Sequence, residues 1–234
     1  MMVKVCGITN KEDALAAAEG GATALGFNFY PKSPRYISPE EAARIAKALP
    51  KHIWKVGVFV NAPVREVERI REAAGLDVVQ LHGDETPADL PAQGRVWKAL
   101  RVDESFDPEK MGTYPADAFL LDAPSEETYG GTGTTFDWAR IVNTGRKIIL
   151  AGGLDAENVQ AAIRLVRPWG VDACSRLESS PGRKDHVKMA RFLKAALPES
   201  PWQGGCAPPA QSPCSITNGN TVNRVLPESP WQGG

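Results

Sequence analysis

The sequence predicts an α/β fold closed into a (β/α)8 barrel, and three observations carry that reading. Eight short apolar, β-branched or aromatic runs recur along residues 1–197, segments of helical period follow most of them, and capping residues mark the boundaries. Strands alternating with helices about every 25 residues form parallel βα units with right-handed crossovers, in a barrel or an open doubly wound sheet. Eight such units in residues 1–197 favour the barrel, near the short end of its usual range.

The elements follow in order. Strand 3–8 leads into helix 11–19, with Thr9 and Glu12 at capping-box spacing and Gly20-Gly21 placed to stop the helix in a left-handed conformation. After strand 24–29, Ser38-Pro39-Glu40-Glu41 offers an N-cap hydroxyl, a proline at the first helical position and a glutamate at the third, opening helix 39–49. Strand 54–60 precedes helix 64–74, which Gly75 can end. Strands 78–81 and 96–102 are followed by short, weakly periodic stretches. Strand 118–121 precedes helix 136–142, strand 147–151 precedes helix 156–166, and strand 171–175 precedes helix 184–197.

Composition limits the function classes. The 234 residues are 42% hydrophobic and 24% charged, enough for one large core or two small domains, and the formal net charge is -1. No basic face is offered to nucleic acid or to an anionic membrane. The N-terminus enters a strand pattern without a basic segment and a long apolar stretch, and no apolar run approaches the roughly 20 residues of a spanning helix, so a cytoplasmic protein without membrane contact is expected. The four cysteines fit neither a dense disulfide framework nor the paired spacings of a zinc site.

Residues 198–234 form a separate region. About a third of them are proline or glycine with scarcely any apolar periodicity, so a disordered tail is expected after the barrel domain of residues 1–197. LPESPWQGG occurs twice, at 197–205 and 226–234. Two nine-residue copies cannot stack as a solenoid. They are either a pair of linear motifs presenting Trp202 and Trp231 or a duplicated tail without a role.

In parallel α/β folds chemistry collects at the C-terminal ends of strands. Cys6 ends the first strand, Arg35 follows the second, Asn61 the third, His82 the fourth and Asp122 the sixth; Gly152-Gly153 follows the seventh, and Ser175 ends the eighth. In a ring of eight, strands one and six are three apart, so Cys6 and Asp122 would face each other across the mouth, as an acid and a base flanking one substrate do. Each has a plainer alternative: Cys6 as a small buried hydrophobe, Asp122 as a turn former before Ala123-Pro124, Arg35 as a solvated loop cation, His82 as a satisfied strand-end residue. Gly130-Gly131-Thr132-Gly133 lacks a Gly-Lys-Ser/Thr ending and no strand leads into a GxGxxG, which disfavours nucleotide binding. Gly152-Gly153-Leu154-Asp155, between a strand and a helix, suits an anion on helix N-terminal N–H groups or a tight βα turn.

Six motifs, in order, carry a resemblance. They are Lys4-Val5-Cys6-Gly7-Ile8-Thr9; Gly26-Phe27-Asn28-Phe29-Tyr30 with Ser33-Pro34-Arg35-Tyr36-Ile37; Gln80-Leu81-His82-Gly83; Leu120-Leu121-Asp122; Gly130-Gly131-Thr132-Gly133-Thr134-Thr135-Phe136-Asp137-Trp138; and Ala151-Gly152-Gly153-Leu154. Together they resemble the phosphoribosylanthranilate isomerase family of tryptophan biosynthesis over residues 2–197. The resemblance implies a TIM barrel that catalyses an Amadori rearrangement of an aminoaldose phosphate, as a monomer or homodimer, with no metal and no organic cofactor. It further implies Cys6 as general base and Asp122 as general acid. Arg35 would grip the anthranilate carboxylate, Gln80, His82, Gly131 and Gly152 would contact substrate, and Gly153, Ser175 and Arg176 would surround the phosphate.

At one place the chain departs from the family pattern. Ala173-Cys174-Ser175-Arg176-Leu177-Glu178 stands where members typically read Val-Ser-Ser-Gly-Val-Glu. Arginine in place of the glycine strains or blocks the phosphate loop if that position needs positive φ or open space. It adds a charge-assisted grip if the side chain turns toward the anion. The balance favours impaired phosphate binding, and with it the alternative of a non-catalytic or weakly active phosphosugar-binding barrel.

Overall fold

The computed structural model describes residues 1–103, 106–122 and 145–197. Helix 136–142, the glycine cluster containing Gly131 and the tail at 198–234 lie outside the described residues.

Eight parallel strands close into a barrel in chain order: β1 Met2–Val5, β2 Ala24–Asn28, β3 Trp54–Phe59, β4 Val78–Leu81, β5 Arg95–Arg101, β6 Ala118–Asp122, β7 Ile148–Leu150 and β8 Gly170–Ala173. Closure comes from β8 pairing with β1, with Val5 opposite Ala173. The helices are α1 Lys11–Glu19, α2 Pro39–Ala48, α3 Val64–Ala74, α4 Val159–Val166 and α5 His186–Ala196. Short 3-10 turns at Pro87–Asp89 and Pro108–Thr113 follow β4 and β5. Those are the two stretches where helical periodicity fails.

Local chemistry explains the boundaries and corrects three of them. Ser38 caps α2 as its sequence suggests, accepting from the Glu41 N–H with Pro39 in the first turn. For α1 the cap is Asn10 rather than Thr9: Asn10 Oδ1 accepts from the Asp13 N–H at 2.8 Å, and the Thr9 hydroxyl instead donates to the Gly182 carbonyl. Gly75 ends α3 in the left-handed region at φ 62°, whereas Gly20 ends α1 at φ -71° and the left-handed turn falls on Gly21. Helix α4 starts three residues later than its periodicity suggests, because Asp155 and Asn158 hydrogen-bond within an opening turn. Lys184 lies in a strand; α5 is capped by Asp185. That strand, β10 (Arg183–Lys184), pairs antiparallel with β9 (Glu178–Ser180), a hairpin whose polar residues give no alternating apolar signal.

The core has two parts. The larger lies between the barrel and its helices, and includes Val3, Val5, Phe27, Leu121 and Phe192. The smaller fills the lower barrel interior: Met2, Ala24, Val56, Val78, Trp97 and Ala118 pack there, with Trp54 and Trp169 against them. Side chains alternate across a strand, so inward positions recur every second residue. Continuing that period upward from Met2, Val78, Ala118 and Gly170 reaches Cys6, His82, Asp122 and Cys174.

Candidate active site

At the upper end of the barrel these inward residues open on one cavity of about 420 Å3. Cys6, Asp122, Arg35, Gln80, His82 and Gly152 line it, and so do Gly153, Ser175 and Arg176. Every site residue that the resemblance implies therefore reaches one cavity, except Gly131, which lies outside the described residues. Asn61 does not line it; its backbone N–H donates to Glu85 Oε1.

Cys6 directly follows β1, and its N–H donates to the Ala173 carbonyl at 2.9 Å, which pins it beside the end of β8. Its sulfur occupies space left by Gly26 on β2: a β-carbon there would sit 2.7 Å from Cys6 Sγ. The thiol is held well below its ordinary pKa by a hydrogen bond from Cys174 and by Lys4 and Lys184, which together outweigh burial. Cys174 is pushed the other way, by its bond to Cys6 and by burial.

Beneath Cys6 lies a buried ion pair, Lys4 Nζ to Asp172 Oδ2 at 2.9 Å. Burial pushes Asp172 up to about 7, against the pull of Lys4. Burial also opposes the charged form of Lys4, yet Asp172 and Cys6 prevail and its pKa is raised. Among the described residues, Asp172 Oδ1 and Gln80 Oε1 are buried without a hydrogen-bond partner, and both residues line the cavity. Buried acceptors left unpaired at a cavity wall are suited to donors brought by a ligand.

Across the barrel, Asp122 ends β6 at 7% exposure, with His82 Nε2 3.3 Å from its Oδ2. Gln80 Nε2 lies 3.2 Å from His82 Nδ1. With the amide nitrogen donating to Nδ1, the imidazole proton resides on Nε2 and points at Asp122.

Arg35 sits in the loop between β2 and α2. Its Nε and one terminal nitrogen bind Glu178 Oε1 and Oε2 at 2.9 and 2.8 Å. Burial would raise the Glu178 carboxyl, but Arg35 and Lys184 hold it below its ordinary pKa. Lys184 Nζ reaches Glu178 Oε1 at 3.0 Å and the Cys174 carbonyl at 3.2 Å. The small hairpin thus fixes the guanidinium by one edge.

Gly152 and Gly153 take φ values of 85° and 64°, which bare glycine tolerates, and carry backbone rather than side chain to the wall. Opposite them, Ser175–Leu177 forms a 3-10 turn. Arg176 is not among the residues with positive φ, so arginine there costs no left-handed strain. Its guanidinium is half exposed, 3.4 Å from Asp155 Oδ2.

Sequence reading missed Lys4, Asp172, Glu178 and Lys184. The available signal was a charge at an inward position inside an apolar run, as in Val3-Lys4-Val5 and Val171-Asp172-Ala173. Among the described residues, no group of three or more His, Cys, Asp or Glu could hold a metal ion.

Comparison with known proteins gives a consistent result. Residues 3–195 match the family model described as N-(5'phosphoribosyl)anthranilate (PRA) isomerase. An N-(5'-phosphoribosyl)anthranilate isomerase of Solibacter usitatus is 56% identical over 196 residues, covering 84% of this chain and 97% of the relative. The crystal structure of phosphoribosyl anthranilate isomerase from Thermus thermophilus superposes with a TM-score of 0.77 at 41% identity, over 83% of this chain and 98% of that one. A phosphoribosyl anthranilate isomerase in complex with reduced 1-(o-carboxyphenylamino)-1-deoxyribulose 5-phosphate gives 0.72 at 40% identity, over 84% and 98%.

Proposed function

The chain belongs to the N-(5'-phosphoribosyl)anthranilate isomerase family, and from that premise we propose that Cys6 is its general base and Asp122 its general acid. The reaction is the Amadori rearrangement of N-(5-phosphoribosyl)anthranilate to 1-(2-carboxyphenylamino)-1-deoxyribulose 5-phosphate, in tryptophan biosynthesis. The observation that carries the assignment is that a thiol after β1 and a carboxyl group at the end of β6 open on the same cavity.

Asp122 protonates the furanose ring oxygen, the ring opens to an iminium ion, and the Cys6 thiolate removes the proton from the adjacent sugar carbon to give an enolamine. Tautomerisation of the enolamine gives the ketone. A free thiol with pKa near 8.5 is only a few per cent thiolate at pH 7, so the downward shift at Cys6 is what makes sulfur usable as a base. His82, braced by Gln80, orients the Asp122 carboxyl group. The unpartnered oxygens of Gln80 and Asp172 accept hydrogen bonds from the sugar hydroxyls.

The guanidinium of Arg35, held by Glu178 along one edge, presents its remaining N–H groups to the anthranilate carboxylate. Gly152, Gly153, Ser175 and Arg176 hold the phosphate, with Gly131 closing the substrate-binding set. A weakly active phosphosugar binder is not favoured: the relatives bear the isomerase name, and Arg176 adds no backbone strain. The test is Cys6→Ala. Turnover should fall by about 10²–10⁴-fold with substrate still bound; a variant that keeps most of its rate removes Cys6 from the mechanism.

A further inference from the structure

Cys174 is a half-buried nucleophile that the isomerisation does not use as a reacting group, and it lies beside the thiol that the isomerisation does use. Val5 and Ala173 are register partners on adjoining parallel strands, and Cys6 and Cys174 are the next residue on each. Neighbouring strands run about 4.8 Å apart, within the roughly 4.4–6.8 Å that the α-carbons of a disulfide span. The Cys6 N–H to Ala173 carbonyl bond holds the pair together, and both side chains line the substrate cavity.

We propose that Cys6 and Cys174 form a site of oxidative modification, in which a hydroperoxide entering the substrate cavity converts the two thiols into a disulfide. In the first step the Cys6 thiolate attacks one peroxide oxygen; an S–O bond forms, the O–O bond breaks, and the departing hydroxide takes up a proton to leave as water. Sulfur is oxidised by two electrons, and the peroxide is reduced by the same two. In the second step Cys174, as thiolate, attacks the sulfenic sulfur of Cys6; the S–S bond forms and the S–O bond breaks, releasing hydroxide that is protonated to a second water.

The surroundings favour this order. Of the two thiols it is Cys6 whose pKa is held below its ordinary value, which makes it the sulfur that meets peroxide. The Cys174 pKa is raised first by its hydrogen bond to Cys6, then by burial, and last by the charge of Cys6. Once Cys6 is a neutral sulfenic acid its charge no longer opposes the Cys174 thiolate, and burial remains. Lys184 Nζ, 3.9 Å from Cys174 Sγ, and Arg35 then favour its thiolate, while Glu178 Oε1, 4.0 Å from the same sulfur, opposes it with its charge already neutralised by both cations.

The consequence for turnover rests on Cys6 being the base; formation of the bond does not. The experiment uses the full chain with Cys206→Ser and Cys214→Ser, so that the tail supplies no competing thiol. The protein is treated with hydrogen peroxide, alkylated, mapped by peptide mass, and assayed before and after dithiothreitol. A Cys6–Cys174 cross-link lighter by two hydrogens is expected, with the turnover lost matching the cross-linked fraction and returning on reduction. With Cys174→Ser added, Cys6 should run on to sulfinic acid and reduction should restore nothing. Peroxide treatment that leaves Cys174 alkylatable, or a Cys174→Ser protein that recovers as fully, overturns the proposal. A cross-linked protein with undiminished turnover upholds the modification site and removes Cys6 as base.

Discussion

The two ends of the barrel are built from the same strands and made for opposite ends. At the N-terminal end Trp54, Trp97 and Trp169 pack with ring centroids 5.9–6.0 Å apart, and Arg95 and Lys147 lie over the outer rings. At the C-terminal end the same inward rows present Cys6, His82, Asp122 and Cys174 to a cavity. Strand β1 alone runs from Met2 through Lys4, and the chain then reaches Cys6. Each strand therefore carries a gradient from packing to chemistry, and damage should sort by height along the strand: stability at the floor, catalysis at the mouth.

The largest expected effect is at the mouth. Cys6→Ala and Asp122→Asn should each lower kcat by about 10²–10⁴-fold while moving the urea midpoint little; a collapse of the midpoint with activity per folded molecule intact would erase the contrast. At the floor, Trp97→Ala should cost about 3–5 kcal/mol of unfolding free energy, read from denaturant titration, and leave kcat of the folded protein unchanged. A floor variant that stays stable but loses kcat would show the two ends to be coupled.

Smaller effects sharpen the picture within the mouth. Replacing Cys174 by alanine removes the hydrogen bond that stabilises the Cys6 thiolate, so the Cys6 pKa must rise. The acid limb of the kcat/KM profile then moves to higher pH: activity is lost below the limb and restored above it. Cys174→Ser keeps a donor and should keep the limb near its original place; equal displacement in both variants would assign the effect to packing. Smallest is Arg176→Gly. A half-exposed charge contact is worth about 0–1 kcal/mol, so KM should rise by no more than about fivefold, least at high salt. A fall in KM would mean that Arg176 obstructs the phosphate.

Much of the barrel was legible because its signals are local. Alternating apolar runs set all eight strands to within a few residues, and Ser38-Pro39 and Gly75 mark helix ends by side-chain and φ requirements that adjacent residues alone determine. The β9–β10 hairpin was not legible, since Glu178 and Lys184 are kept by ion pairs with partners such as Arg35 rather than by periodicity. The choice of Asn10 over Thr9 as cap depended on Gly182, 173 residues away from Thr9. In the site, Cys6, His82 and Asp122 could be picked out as polar residues at strand ends. Lys4 and Asp172 each left a signal, a charge within an apolar run, but it became meaningful only when the opposite charge was placed on the next strand.

Three indoles from three strands or strand-leading positions meet at the barrel floor, and the arrangement has an optical consequence. Their rings lie 5.9–6.0 Å apart between centroids with planes inclined by 38–82°, close enough for the in-plane transition dipoles to couple as excitons. A paired near-ultraviolet circular dichroism band from this cluster would report, without any added label, the moment at which β3, β5 and the chain entering β8 come into register during folding.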